Sequence, residues 1–138
     1  MTEYERLTDC VISSDILLIK SGFPASAASG RAGGCYAIAI NERAFETFAE
    51  RRVALAHEFG HCRTGAFCTE RNYTINYGRA ENRAWTSTVF NELPLDVLVD
   101  AVQRAGGSLF EVAEELNFTQ EFVERAIEVY RRKGLWSA

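Results

Sequence analysis

The chain has 138 residues, 47% of them hydrophobic, which is enough for one compact domain with a hydrophobic core and too few for two domains of ordinary size. Its formal net charge is -4, with 19 acidic against 15 basic residues, so the composition does not indicate a surface for nucleic acids or anionic membranes. The cysteines lack the C-x-x-C spacing of zinc knuckles and thioredoxin-like pairs, and we expect reduced, buried thiols at Cys10, Cys35, Cys62 and Cys68.

The first residues carry charges of both signs and lack the basic-then-apolar order of a secretory signal. The apolar run at positions 16–19 is far shorter than the roughly 20 residues that span a bilayer, and charged residues bracket it. We therefore expect a soluble, cytoplasmic protein.

The first third of the chain predicts one helix and two strands. Residues 2–13 have apolar side chains at helical spacing, and the short apolar segments Ile16–Lys20 and Cys35–Ile40 have the branched or alternating side chains typical of strands. Residues 21–34 are small and turn-forming, so we expect a mobile loop that is either an ordinary connection or a lid or edge beside a cleft. The second strand is either a core strand or an exposed edge that binds a substrate backbone.

Positions 57–61 match the zinc-protease pattern H-E-x-x-H and contain the two histidines of the chain. Side chains four residues apart on a helix point the same way, so His57 and His61 can bind one Zn²⁺ ion. Glu58 then lies beside the metal, where a general base for a water molecule is needed. A helix from about Arg51 to Thr64 fits the pattern, although a pair of surface histidines is the alternative interpretation.

The predicted helix has an apolar side and a side of small residues. Leu55, Phe59 and Cys62 fall opposite the histidines, which we expect to face outward. Around the histidines, small residues such as Gly60 leave room for a neighbouring strand and a ligand. Because a glycine inside a helix costs about 1 kcal/mol relative to alanine, we expect another part of the chain to approach closely at Gly60.

A catalytic zinc ion normally has three protein ligands and water in the fourth position. A third histidine six residues after His61 would make a metzincin site, but no further histidine exists, so that class is excluded. The carboxylates that follow are Glu70, Glu81 and Glu92. Glu81 lies near the start of a helix predicted over about 79–92. It follows His61 by 20 residues, so the segment between them is long enough to fold back toward the histidines. We choose Glu81, with Glu70 as its main competitor.

As a hydrolase, the site would use Glu58 to take a proton from water and pass it to the leaving amine. The oxyanion of the tetrahedral intermediate also needs a donor beyond zinc. Tyr77 and Tyr73, shortly before Glu81, are candidates, although packing is the more usual role of a tyrosine.

Residues 54–61 resemble the L-A-H-E-x-G-H signature of the ImmA/IrrE metallo-endopeptidases. That family also carries a downstream pattern E-x-x-A-N-x-F-A followed by L-L-x-P, whose leading glutamate is the zinc ligand; Glu81 and Ala84 match its E-x-x-A portion, and Pro94 falls at its spacing. The chain departs from this pattern at Trp85 for asparagine, Ser87 for phenylalanine, and Asn91 with Glu92 for leucines.

The resemblance implies an intracellular zinc endopeptidase with a narrow substrate, a helix-turn-helix repressor often encoded beside the protease on a prophage or integrative element. Cleavage would relieve repression. The expected partner is therefore a protein substrate, with no membrane and no direct nucleic-acid binding, and the oligomeric state is left open.

The last third of the chain predicts three short helices, Leu95–Ala105, Ser108–Leu116 and Thr119–Lys133. Ser108 and Glu111 have the form of a capping box. The last two helices and the turn between them have the spacing of a helix-turn-helix. The alternative function is therefore a non-proteolytic regulator that binds DNA or a partner through these helices and holds a structural zinc. The acidic residues of the last helix disfavour phosphate contacts, and helix packing explains it better.

These elements together predict an α+β fold: one mostly helical, zincin-like domain over residues 1–138, with a small N-terminal β-sheet packed beside the active-site helix. Within it, we expect a helix and small sheet over 1–50, the motif helix and third-ligand helix over 51–93, and the C-terminal helices over 94–138.

Overall fold

The computed structural model describes residues 1–22, 24–67 and 73–136, except the side chains of Ala32 and of residues 73–76. Over these residues the fold is α+β and mostly helical with a small sheet, as predicted. A short 3-10 helix, Glu42–Ala44, precedes the second α-helix. In chain order the elements are α1 (Glu3–Ser13), β1 (Leu17–Lys20), β2 (Ala27–Ala32), β3 (Cys35–Ile40), α2 (Phe48–Thr64), α3 (Tyr73–Glu92), α4 (Leu95–Arg104), α5 (Leu109–Leu116) and α6 (Gln120–Arg132).

The chain divides into two compact units, Met1–Thr88 and Val89–Ala138, with the boundary inside α3. The prediction of a single domain over residues 1–138 stays a prediction. Among the described residues, no helix combines the length and the hydropathy that crossing a bilayer requires.

The sheet of the first unit has the strand order β1-β3-β2. The loop predicted over 21–34 is wrong for residues 27–32, which form the edge strand β2 and pair antiparallel with β3 from Ala27 opposite Ile40 to Ala32 opposite Cys35. The connecting turn is Gly33-Gly34, and both residues have positive φ, as a two-residue hairpin turn requires. Pairing with β3 therefore keeps residues 27–32 in a strand, although their side chains have little strand propensity.

The central strand β3 pairs with β2 on one side and, in parallel, with β1 on the other. Its backbone hydrogen bonds are therefore used within the sheet, which excludes the interpretation of β3 as an exposed edge for a substrate and confirms that it is a core strand. The expected alternation is also confirmed, since Ile38 and Ile40 are fully buried.

The core of the first unit lies between the sheet, α1 and α2. Helix α1 starts with a capping box in which Thr2 and Glu5 satisfy each other's backbone amides. Its apolar side then packs against α2, because these side chains recur at helical spacing. The buried apolar residues of this core are Tyr4, Leu7, Val11, Ile16, Ile38, Ile40, Leu55, Ala56, Phe59 and Cys62.

The expectation of buried cysteines is wrong for Cys10 and Cys35, which are exposed free thiols. Cys10 lies on the outward side of α1, and Cys35 opens β3 beside the hairpin turn. Cys62 is buried in α2, and burial raises the pKa of its thiol to about 11. Cys68 lies outside the described residues.

The second unit contains the three predicted C-terminal helices, which end within a residue of the expected positions because their caps are local. Ser108 and Thr119 accept backbone N–H groups at the starts of α5 and α6, although Ser108 forms only the serine half of the expected capping box. Asn117 ends α5 in the left-handed conformation. Helix α6 packs through a stripe of buried residues, Phe122, Ala126, Val129 and Tyr130.

Candidate metal centre

Three side chains from α2 and α3 meet at one point in the first unit. His57 Nε2 lies 2.9 Å from Glu81 Oε2, and His61 Nε2 lies 2.8 Å from Glu81 Oε1. One ligand atom from each residue lies within 4.8 Å of the other two. The structure thus brings together the three residues that the sequence nominated as metal ligands.

The donor atoms of this cluster suit zinc. Two imidazole nitrogens and a carboxylate oxygen are a common ligand set of catalytic zinc, with Zn–N bonds of about 2.0–2.1 Å. Tetrahedral ligands at such bond lengths stand about 3.3 Å apart. The observed separations, 2.8 and 2.9 Å, run to the two different oxygens of Glu81, and one donor atom from each residue lies within 4.8 Å of the others, so the three side chains would have to adjust around an ion.

Helix α2 begins earlier than predicted and ends at the predicted residue. Thr47 caps its first turn by accepting the N–H of Glu50, and Gly65 ends it with a φ of 65° in the left-handed region. The histidines do not face outward as expected: the side chains of His57 and His61 retain 12% and 10% of their exposure. They are covered because α3 lies on their side of α2.

The close approach expected at Gly60 is made by α3 rather than by a strand. A Cβ atom at Gly60 would lie 2.5 Å from both the carbonyl oxygen of Ala84 and Oγ1 of Thr88. The buried hydroxyl of Thr88 lies 3.1 Å from the carbonyl oxygen of Ala56 on α2 and 2.8 Å from that of Ala84 on its own helix. Because the two backbones meet here, Glu81, one turn before Ala84, faces the histidines.

The ring orientation of His61 is fixed by a hydrogen bond. Its Nδ1 lies 2.6 Å from the carbonyl oxygen of Ala66, in the turn that follows Gly65. With the proton on Nδ1, the ring donates to this carbonyl and keeps the Nε2 lone pair directed at the cluster. Such a partner sets the tautomer and raises the basicity of a ligating imidazole.

Aromatic rings lie against both histidines. The indole of Trp85 stacks on His57 with ring centroids 3.9 Å apart and planes 18° from parallel. Phe67 stacks more loosely on His61, at 5.8 Å and 27°. From the sequence, Trp85 was noted only as a departure from a family pattern and was not predicted to contact the site. Its spacing of four residues from Glu81 was the missed signal, since it places both residues on one face of α3.

The carboxylate of Glu58 receives a hydrogen bond from the sheet. Ser29 Oγ on β2 donates to Glu58 Oε1 at 2.6 Å. Burial raises the pKa of the Glu58 carboxyl, the Ser29 hydrogen bond and the nearby His61 lower it, and Glu81 raises it. Ser29 was not a predicted site residue. Finding it required β2 to be recognised as a strand, because its pairing with Ile38 puts it on the face toward α2.

An open cavity of about 290 Å³ adjoins the cluster. Glu58, His61 and Glu81 contribute to its wall, and so does Tyr77, a residue that is 45% exposed. The candidate base and the candidate oxyanion donor therefore reach the same space. The lining consists of Ala28, Ser29, Glu58, His61, Phe67, Tyr77, Ala80 and Glu81.

Two alternatives from the sequence fall where the structure gives no side-chain description. Glu70, the competitor for third ligand, lies outside the described residues. The backbone of Tyr73 opens α3, but its side chain is also outside the described part. The support for Glu81 and Tyr77 therefore comes from their own positions and not from a comparison with Glu70 and Tyr73.

No family model matches the chain, and no curated protein and no solved structure matches it either. The resemblance to the ImmA/IrrE metallo-endopeptidases therefore depends on the residues of the two motifs.

Proposed function

We propose that this chain is a zinc-dependent endopeptidase of the ImmA/IrrE type, with α2 and α3 arranged as in a zincin. In this proposal His57, His61 and Glu81 hold Zn²⁺, and Glu58 is the general base. The observation that supports it most is the pair of Nε2 atoms facing one carboxylate of the next helix, while a second carboxylate opens to the same cavity.

A structural zinc is less well supported by the same cluster. Structural zinc sites are closed by four protein ligands, whereas catalytic sites use three and keep one position open. The described cluster supplies three, and it borders a cavity. Glu58 also has no role in a structural site.

Each side chain has a defined task in peptide hydrolysis. Zinc, when bound, would act as a Lewis acid on a water molecule and on the scissile carbonyl. Glu58 would accept the proton of the attacking water and deliver it to the leaving amine. Ser29 would hold the Glu58 carboxylate in place, and Tyr77 would donate a hydrogen bond to the oxyanion.

We assign substrate binding to the edge strand β2 rather than to β3. Ala28 and Ser29 of β2 lie on the cavity wall, and β2 is the last strand of the sheet on that side. An extended peptide that added to its edge would run past Glu58, since Ser29 contacts that carboxylate.

The proposed substrate is a helix-turn-helix repressor, and its support is the family resemblance alone. Such a repressor acts in the cytoplasm, so we propose that the protease acts there, and a prophage or integrative element is the expected genetic setting. A repressor encoded beside this chain is the substrate to test first.

The decisive experiment co-expresses that repressor with the wild-type chain or with Glu58→Gln. We expect the wild type to cleave it and Glu58→Gln to keep its zinc and lose cleavage by at least about 100-fold, the size of a general base's contribution. Asn82→Ala, at an exposed position next to Glu81, is the matched control and should cleave normally. Relief of repression by Glu58→Gln without cleavage would instead favour the non-proteolytic regulator.

A further inference from the structure

Among the described residues, the ring contact between Trp85 and His57 is closer than those between His57 and His61 and between His61 and Phe67. The two planes are 18° from parallel with centroids 3.9 Å apart, so rotation of the imidazole about its Cβ–Cγ bond would drive it into the indole. We propose that Trp85 is a positioning residue, which holds the His57 ring with Nε2 toward Glu81 and so raises the affinity of the site for zinc. This inference rests on the metal site proposed above.

The two histidines are oriented by different kinds of contact. A hydrogen bond to the carbonyl oxygen of Ala66 turns the His61 ring, and its aromatic neighbour Phe67 lies at the longer distance of 5.8 Å. For His57 the tight contact is the ring of Trp85. Removing an aromatic ring should therefore affect His57 more than His61.

Helix α3 contacts His57 in two ways. Glu81 meets Nε2 at 2.9 Å, and Trp85, one turn further along the same helix, covers a face of the ring. The imidazole thus lies between two side chains whose spacing is set by one rigid backbone. Its side chain keeps 12% of its exposure, so the indole also shields the ligand from water.

Preorganisation of this kind acts on metal affinity. The torsion that turns an imidazole is broad and roughly two-fold, so an unsupported ring samples orientations in which Nε2 points away from the ion. Residues that orient a ligating histidine typically contribute about 10–100-fold to metal affinity. We expect an effect in this range from the loss of the indole.

The test compares Trp85→Phe with Trp85→Leu in the full chain. Both fill the space with apolar atoms, but only phenylalanine offers a ring face. Zinc dissociation constants come from competition with a chromophoric chelator, and the melting temperature of each metal-free protein reports folding. We expect Trp85→Phe to stay close to the wild type, Trp85→Leu to bind zinc about 10–100-fold more weakly, and both to melt at similar temperatures without metal.

Phe67→Leu is the matched control on the other histidine, and we expect a smaller loss because Ala66 still orients His61. Equal zinc affinities for Trp85→Phe and Trp85→Leu would overturn the positioning role while leaving the metal site intact. Failure of the wild type to bind zinc would overturn the proposed function and this inference together.

Fluorescence tests separately whether zinc binds beside Trp85. The chain has two tryptophans, so Trp136→Phe leaves Trp85 as the sole indole. Because Trp85 lies on a ligand ring, its emission should change during a zinc titration with the same midpoint as zinc uptake. Zinc uptake with unchanged emission would contradict the assignment.

Discussion

The cavity beside the candidate metal cluster has two different walls, one formed by two packed helices and the other by an edge strand. The helix wall, α2 and α3, carries the candidate metal ligands, and its two helices meet backbone to backbone at Gly60. The strand wall, β2, lines the cavity with Ala28 and Ser29, and the Ser29 hydroxyl donates a hydrogen bond to Glu58. Changes at the contact between the two helices should therefore alter metal binding and stability together, whereas changes in the strand wall should alter catalysis and leave the metal in place.

The largest effect that we expect from a single removed atom is in Tyr77→Phe, on the helix wall. If Tyr77 donates to the oxyanion, the variant should lose about 100-fold or more in kcat, as other enzymes do without an oxyanion donor. KM and zinc content should change little, because the hydroxyl binds neither substrate nor metal in the ground state. Steady-state cleavage of the repressor measures this loss.

Tyr36→Phe is the control for this prediction, since Tyr36 is another tyrosine of the first unit and is not among the described residues that line the cavity. A kcat for Tyr77→Phe within a few-fold of the control would remove Tyr77 from the mechanism.

The helix contact should be sensitive to one methyl group. In Gly60→Ala the new Cβ would stand 2.5 Å from a backbone oxygen of α3, so the helices must separate. Overpacking of this type costs about 1–3 kcal/mol, and the separation should also weaken zinc binding. Denaturant melts of the metal-free protein and zinc titrations measure the two effects.

The matched control is Gly78→Ala on α3, where a Cβ atom would meet nothing within 4 Å. Alanine is the better helix former by about 0.8–1.0 kcal/mol, so this variant should be stabilised. The same sign of change in both variants would contradict the close contact.

We expect the smallest effect on cleavage from a change in the strand wall. Ser29→Ala removes one hydrogen bond to the Glu58 carboxylate, and hydrogen bonds to charged groups contribute about 1.5–3 kcal/mol. Because this hydrogen bond is only partly buried, the low end of that range applies, and we expect cleavage to be roughly 10-fold slower with zinc affinity unchanged. Ser29→Thr keeps the hydroxyl and should recover most of the rate. Loss of zinc in Ser29→Ala would break the division between the two walls.

The same contrast explains what could be predicted from the sequence. The bounds of α4, α5 and α6 were found to within a residue, because caps such as Ser108 and Thr119 and the helical period are local signals. The clustering of His57, His61 and Glu81 was also accessible, since a four-residue spacing on one helix and a carboxylate on the next helix can be recognised without knowing the packing.

Contacts between elements were harder to predict. Strand β2 was missed because Ala, Ser and Gly favour loops, and its structure depends on pairing with β3. The Gly33-Gly34 turn was the available hairpin signal. Ser29 and Trp85 were missed for the same reason: each acts on a residue of another element, and periodicity does not report which side chains meet across a gap.

The most direct test of the central claim is zinc binding by the metal-free chain, measured by competition titration and metal analysis for the wild type, Glu81→Gln and Asn82→Ala. We predict one zinc per chain for the wild type and for Asn82→Ala. We predict a loss for Glu81→Gln beyond the about 10–100-fold typical of residues that merely orient a ligand. Absence of stoichiometric zinc in the wild type, or undiminished affinity in Glu81→Gln, would contradict a metal centre built from His57, His61 and Glu81.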